Sequence, residues 1–376
     1  SDERFFPDSE VVFSVSAADF NVADYVYQAG GYLNSYGEYF KADEYLTGIE
    51  VIERISEGYS ISPRLLLALL EFQGHWVYGS PEGIFYEYPL GYQNEDYRGL
   101  YLQLMWAAQR LSVGYYGWRD GSLVDITFKD GRSQRIDPGQ NAGSAALMYL
   151  FSLLFDAGDW QAAIFGDERF STISDLMFGD AVGYSAGMGP IFPDGTTQPV
   201  LDLPFLPGTR WNFTGGPHGG WGKFTPWSAI DFAPSGQSGC VQAEQVVLAA
   251  AEGVVVRTAT GLLMLDLDGD GSEQTGWVLQ YLHVSTADHP AVGTRIKKDD
   301  VLGHPSCEGG FSTGTHVHVA RKFNGEWVAA DGPVPFVLSG WQVEQGEKAY
   351  AGALLRADER VDSSTVGSGY SLIRRD

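Results

Sequence analysis

Four of the seven histidines and one aspartate carry the residue types best suited to chemistry in this chain: His218, Asp231, His283, and the pair His316 and His318 inside GFSTGTHVHVAR. All four histidines fall in segments that read as strand or tight loop beside glycines. His316-Val317-His318 is an H-x-H motif with apolar Val317 and Val319 in alternation. On a strand, residues i and i+2 face the same side, so both imidazoles are predicted to look into one site. Neutral imidazoles and a carboxylate form a donor set suited to zinc. Three protein ligands leave a fourth position for water, the layout of a catalytic site and not a structural one. The expectation is a zinc hydrolase. A histidine near an aspartate is more often a surface hydrogen bond. The glycines around His218 in GGPHGGWGKFTPWSAIDFAPSG are the less ordinary feature, since they let backbone and substrate approach closely.

The combination of His218, Asp231 after twelve intervening residues, YLH ending at His283, and STGTHVH is far more specific than any one part. It resembles the lysostaphin-type and beta-lytic zinc endopeptidases of bacterial cell walls, and the long His-to-Asp spacing is closer to the beta-lytic branch. The match runs from about Trp211 to Trp341. The resemblance implies that His218, Asp231 and His318 hold one zinc ion per chain. His316 would sit beside the metal-bound water as base or transition-state donor, and His283 would help stabilise the oxyanion. It further implies hydrolysis of peptide cross-links in peptidoglycan, with the activated water attacking the amide carbonyl, outside the cytoplasm. For His283 the alternative is a half-buried strand histidine with its polar edge satisfied. His75, His289 and His304 match nothing in the pattern and read as surface or loop residues. Cys240 and Cys307 are the only cysteines. The likeness to exported wall enzymes favours a disulfide between them over two reduced thiols, and with it an oxidising compartment.

What must position these residues is read from the rest of the chain. At 376 residues the sequence exceeds the size at which one core keeps growing, so two domains are expected. The apolar stretches near Leu65 and Leu150 are too short to span a membrane. The chain opens SDERFFPDSE, with neither Met nor a basic-then-apolar leader, so a signal peptide is expected either to have been removed or to precede the sequence given. A net charge of −24 argues against a nucleic-acid partner, because phosphate neutralisation needs Lys and Arg clusters.

The predicted fold class is α+β: a helical, lysozyme-like N-terminal domain followed by an antiparallel all-β zinc peptidase domain. The helical domain spans 1–186, where several segments show apolar residues at three- and four-residue spacing, and Ser62-Pro63 reads as a helix start. GSLVDITFKDGRSQRID interrupts it as a hairpin turning at Asp-Gly. A connector with five prolines spans 187–208 and is expected to pack against a domain surface. Short strands alternating with turns then fill 209–345, and a tail, 346–376, wraps back or frays. LDLDGDG places Asp266, Asp268 and Asp270 as in the first half of a calcium loop, but Trp277 stands where the bidentate Glu belongs. An acidic hairpin turn is the preferred reading and Ca2+ the alternative.

SPRLLLALLEFQGHW, GLYLQLMWAAQ and NAGSAALMYL resemble the lysozyme-like lytic transglycosylases at a distance, with Glu71 at the position of the catalytic acid. Phe72 stands where that family carries Ser, and the later Ala-Tyr-Asn-Ala-Gly element is missing. A buried Glu there could protonate a glycosidic bond. Two other readings therefore stand beside the peptidase: a non-catalytic envelope scaffold or activator of other wall hydrolases, and a glycan-cleaving enzyme using Glu71 with an accessory β-domain. Regulators of the first kind lose metal ligands, whereas here the ligands and both helper histidines are kept.

Overall fold

A computed structural model describes residues 5–376; Ser1–Arg4, which open the expected 1–186 domain, lie outside the described residues. The chain divides into two compact units, the first ending at Ile191 and the second running from Phe192 to Asp376.

The first unit is helical, as the three- and four-residue spacing predicts. Gly48–Tyr59 starts from a capping box in which Thr47 and Glu50 satisfy each other's backbone donors. Pro63–Gly74 starts with Pro at its first position, but the Ser62 side chain makes no cap bond, so proline alone marks that start. Leu100–Asp120 and Ala142–Leu154 pack together as the central pair. Gly114 allows their close approach, since a Cβ there would meet the Ala146 backbone. The Asp-Gly hairpin forms as read, pairing Asp125–Thr127 with Ser133–Arg135. Among the described residues, no helix is long and apolar enough to cross a membrane.

The second unit is built on an antiparallel sheet. Its strand order is Arg295–Ile296, Gly253–Ala259, Leu262–Asp266, Trp277–Leu282, Val317–Phe323, Ala229–Pro234, Arg210–His218 and Leu372–Arg374, with Glu326–Trp327 paired to Val317–Phe323. One face buries Phe213, Ile230, Phe232, Tyr281, Val317 and Val319 in the main core. The period of two then turns Asp231 and His318 to the opposite face.

Two segments given little structure by the sequence belong to this unit. Leu201, Leu203 and Phe205 of the connector enter the main core. Gln198 meets the guanidinium of the fully buried Arg321, which also donates to the carbonyls of Ala329, Val334 and Pro335. Four neutral acceptors spread that charge, yet burial still pushes the Arg321 pKa down to about 9. The tail wraps back and does not fray. A second sheet is formed by Val337–Leu338, Trp341–Gln345, Gly352–Arg356 and Glu359–Asp362, and Leu372–Arg374 covers the outer edge of the Arg210–His218 strand. Apolar Leu354, Val361 and Ile373 explain why: each buries in the same core.

Cys240 and Cys307 are bonded across a sequence separation of 67. The bond ties the loop after the Asp231 strand to the loop before His316. Beside it, Thr315 exchanges hydrogen bonds with the Val241 backbone through its hydroxyl. Closing a loop of that size stabilises mainly by restricting the unfolded chain. Replacing both cysteines by serine is therefore expected to lower the unfolding free energy by about 2–4 kcal/mol, read from denaturant melts. An unchanged midpoint would contradict this.

Candidate metal centre

Asp231 lies in the middle of the site because its neighbours in the sheet are Gly215 on one side and His318 on the other. Directly opposed residues bring their side chains to about 5 Å, so the His318 ring meets the carboxylate without further arrangement. Gly215 supplies the space: a Cβ there would overlap the Asp231 carboxylate. His218 needs another device. The ladder pairs Gly215 with Asp231 and His218 with Ala229, three residues on one strand against two on the other. An earlier shift, between Phe213 and Gly215, has already put Gly215 on the carboxylate's face, and this second one sets His218 on that face as well.

Three donor atoms converge. His218 Nε2 is 3.0 Å from His318 Nδ1 and 3.3 Å from Asp231 Oδ1, and His318 Nδ1 is 3.2 Å from the same oxygen. Tetrahedral zinc with bonds of about 2.0–2.2 Å sets its ligand atoms roughly 3.3 Å apart, so the triangle has the edge a zinc ion needs. The tautomers fit as well. His218 Nδ1 donates to the Gly216 carbonyl at 2.8 Å, and His318 Nε2 to the Gly220 carbonyl at 3.2 Å. A carbonyl can only accept, so each ring turns a lone pair, not a proton, toward the other and toward Asp231. Asp231 Oδ1 is thus a buried acceptor facing two acceptors, without a hydrogen-bond partner. A shared cation is what such a group lacks. Burial raises the Asp231 pKa, and protonated His218 and His316 would hold it well below its ordinary range; a shared cation supplies that positive charge while both rings stay neutral.

His316 and His283 stand beside this triangle. His316 Nε2 is 3.9 Å from Asp231 Oδ1, and the His283 and His316 ring centres are 4.4 Å apart. Both rings repeat the same pattern at Nδ1: His316 donates to the Gly314 carbonyl at 2.8 Å, and His283 to the Glu308 carbonyl at 2.6 Å. Each therefore holds an accepting Nε2. Burial, reinforced by His316 and His318, pushes the His283 pKa down to about 4, so its ring is neutral near pH 7. Before any proton transfer it can accept from a water but cannot donate to an oxyanion.

The sequence did not point to Tyr350. Its ring stacks on His218 with centres 4.1 Å apart, and its backbone is paired with Gly216 and Pro217. It lies in the tail expected to wrap back or fray, which left no signal to find it by. Tyr350, His283 and Phe224 are also three of the non-glycine residues held in left-handed backbone, with φ of 68°, 63° and 71°. Such conformations persist where surrounding contacts impose them, often at functional sites.

The other candidates make local contacts of their own. Glu71 Oε2 accepts from the backbone N–H groups of Val77 and Tyr78 at 2.9 and 3.1 Å, so the carboxylate ties down the chain after its helix. Asp266, Asp268 and Asp270 bring carboxylate oxygens within 4.8 Å of one another. They form the acidic hairpin turn that was the preferred reading, with Asp266 accepting from the backbone of Asp268 and Gly271. His304 pairs with Asp288 at 2.8 Å, and His75 ends its helix exposed to solvent.

Residues 4–186 match the family described as LasA, N-terminal domain. Protease LasA of Pseudomonas aeruginosa is 26% identical over 306 residues, covering 75% of this chain and 68% of that protein. Beta-lytic metalloendopeptidase of Achromobacter lyticus is 27% identical over 172 residues, covering 44% of this chain and 42% of that one. Among solved structures, the deep-sea M23 metalloprotease pseudoalterin is similar at 25% identity over 44% of this chain and 96% of that one, with a TM-score of 0.38. The chain is thus similar to metalloendopeptidases of the LasA and beta-lytic kind.

Proposed function

We propose that this homologue of the LasA and beta-lytic metalloendopeptidases is a zinc enzyme that hydrolyses peptide cross-links in bacterial peptidoglycan. The observation that carries the reading is the triangle of His218 Nε2, Asp231 Oδ1 and His318 Nδ1, at zinc-ligand spacing with lone pairs inward. When bound there, the metal supplies Lewis-acid polarisation and a nucleophile at neutral pH. The chain's own residues do the rest. Either His316 or His283, each with an accepting Nε2, takes the single proton released as the nucleophile adds to the amide carbonyl. Once protonated, that one nitrogen becomes a donor, able to stabilise the oxyanion and then return the same proton to the leaving amine. The role read for His283 from the sequence thus follows its proton transfer and does not precede it. The disulfide supports action in an oxidising, extracytoplasmic place.

Retention of the whole donor set distinguishes this reading from a non-catalytic scaffold. For residues 4–186 the parent taken is the LasA N-terminal domain. The lysozyme-like alternative is set aside because the Glu71 carboxylate serves the backbone of its own unit. Incubation with purified cross-linked peptidoglycan is expected to release new amines, to stop with a chelator, and to resume on adding zinc. Release of anhydro sugars without amines would favour the glycosidase reading, and release of neither would favour the scaffold.

A further inference from the structure

His283 is held in place by one residue acting twice. Its Nδ1–H meets the Glu308 carbonyl at 2.6 Å, and its own backbone is in the left-handed region. The carboxylate of the same Glu308 reaches the turn that follows His283. Oε2 accepts from the Thr286 N–H at 2.9 Å and from the Thr286 hydroxyl, and that hydroxyl accepts from the Gly261 N–H at 2.9 Å. Ser306 closes the other side: its N–H donates to the His283 carbonyl at 2.6 Å, and its hydroxyl oxygen accepts from the Glu308 N–H at 3.1 Å. Cys307, between Ser306 and Glu308, is bonded to Cys240. The structure has no room to spare here, since a Cβ on Gly261 would meet the Glu308 carbonyl.

We infer that Glu308 is a positioning residue for the reaction, its side chain locking the turn after His283 so that its own carbonyl fixes the His283 tautomer with Nε2 facing the site. A strained left-handed histidine does not hold its angle unaided, and reacting groups displaced by about 1 Å can lose on the order of a hundredfold in rate. The anchor is a salt-bridge-free, charge-assisted clamp between an acceptor and two donors of one threonine. This inference rests on the peptidase reading, in which His283 handles the proton.

The test compares the full-length wild type, Glu308→Ala, Glu308→Gln and Thr286→Val, each loaded with zinc. Glu308→Ala is expected to lose about tenfold or more in kcat on cross-linked peptidoglycan, with KM within about twofold and zinc content unchanged. Glu308→Gln keeps an oxygen for both Thr286 donors and is expected within about threefold of wild type. A readout independent of turnover is the 15N spectrum of the histidine side chains. His283 should be a single Nδ1–H tautomer in wild type and Glu308→Gln, and a mixture in Glu308→Ala and Thr286→Val. Should Glu308→Ala fail to fold, Thr286→Val reads the same tautomer from the other end of the clamp. Wild-type kcat in Glu308→Ala, equal damage in Glu308→Gln, or an unchanged tautomer in both disrupting variants would overturn the inference. Wild-type protein that leaves peptidoglycan intact would instead remove the proposed function, and the tautomers would still decide the clamp.

Discussion

Asp231→Ala is expected to leave a folded protein that no longer retains zinc and has lost more than about a thousandfold in kcat/KM, equivalent to about 4 kcal/mol of transition-state stabilisation. The carboxylate is the only anionic member of the triangle, and without it two buried imidazoles face each other at 3.0 Å. His316→Ala provides the contrast. That ring lies 3.9 Å from Asp231 Oδ1, outside the triangle, and its Nε2 is an acceptor. Zinc content should stay near one per chain while kcat falls by about a hundredfold or more, the usual worth of a positioned base. Metal analysis of both proteins, paired with rates on cross-linked peptidoglycan, separates ligand from base. Equal zinc loss in the two would mean that the triangle is wrongly drawn.

The second large effect is expected from a residue with no side chain. Gly215→Ala puts a Cβ where the Asp231 carboxylate now lies, on the strand paired directly with it. The backbone at Gly215 is not left-handed, so alanine brings no conformational penalty of its own; the conflict is with the carboxylate alone. The carboxylate must swing away from His218 and His318. Zinc retention and turnover should fall nearly as far as in Asp231→Ala. Overpacking of one methyl should cost only about 1–3 kcal/mol in stability. Gly369→Ala is a useful control, since that position is neither crowded nor left-handed. A Gly215→Ala protein with full zinc and activity would show that the carboxylate is not confined as described.

The chemistry of the centre was legible because it is written in residue types and in a period of two. His316 and His318 had to share a face on any strand, and Val317 and Val319 had to enter the core, as they do. The helical first half, the Asp-Gly hairpin and the antiparallel second half were legible for the same reason, since local spacing and turn residues decide them.

Other features depended on contacts between segments distant in sequence, and no local pattern reports those. The connector and the tail carry little periodicity, yet Leu203, Phe205, Leu354 and Ile373 are buried because the main core had room for them. Tyr350 reaches His218 only because that tail folds back. Glu71 sits at the position of a glycosidase acid, but its oxygen is committed to the amides of Val77 and Tyr78.

By itself the sequence determined which side chains could bind a metal and move a proton. Only the tertiary structure decided how they are aimed. Two bulges in one strand set both Gly215 and His218 on the Asp231 face, and backbone carbonyls of Gly216, Gly220, Gly314 and Glu308 choose which nitrogen of each ring keeps its proton. Every residue carries a carbonyl, so its use as a tautomer lock leaves no mark in the sequence; it exists only once the chain has brought that oxygen within hydrogen-bonding reach of the ring.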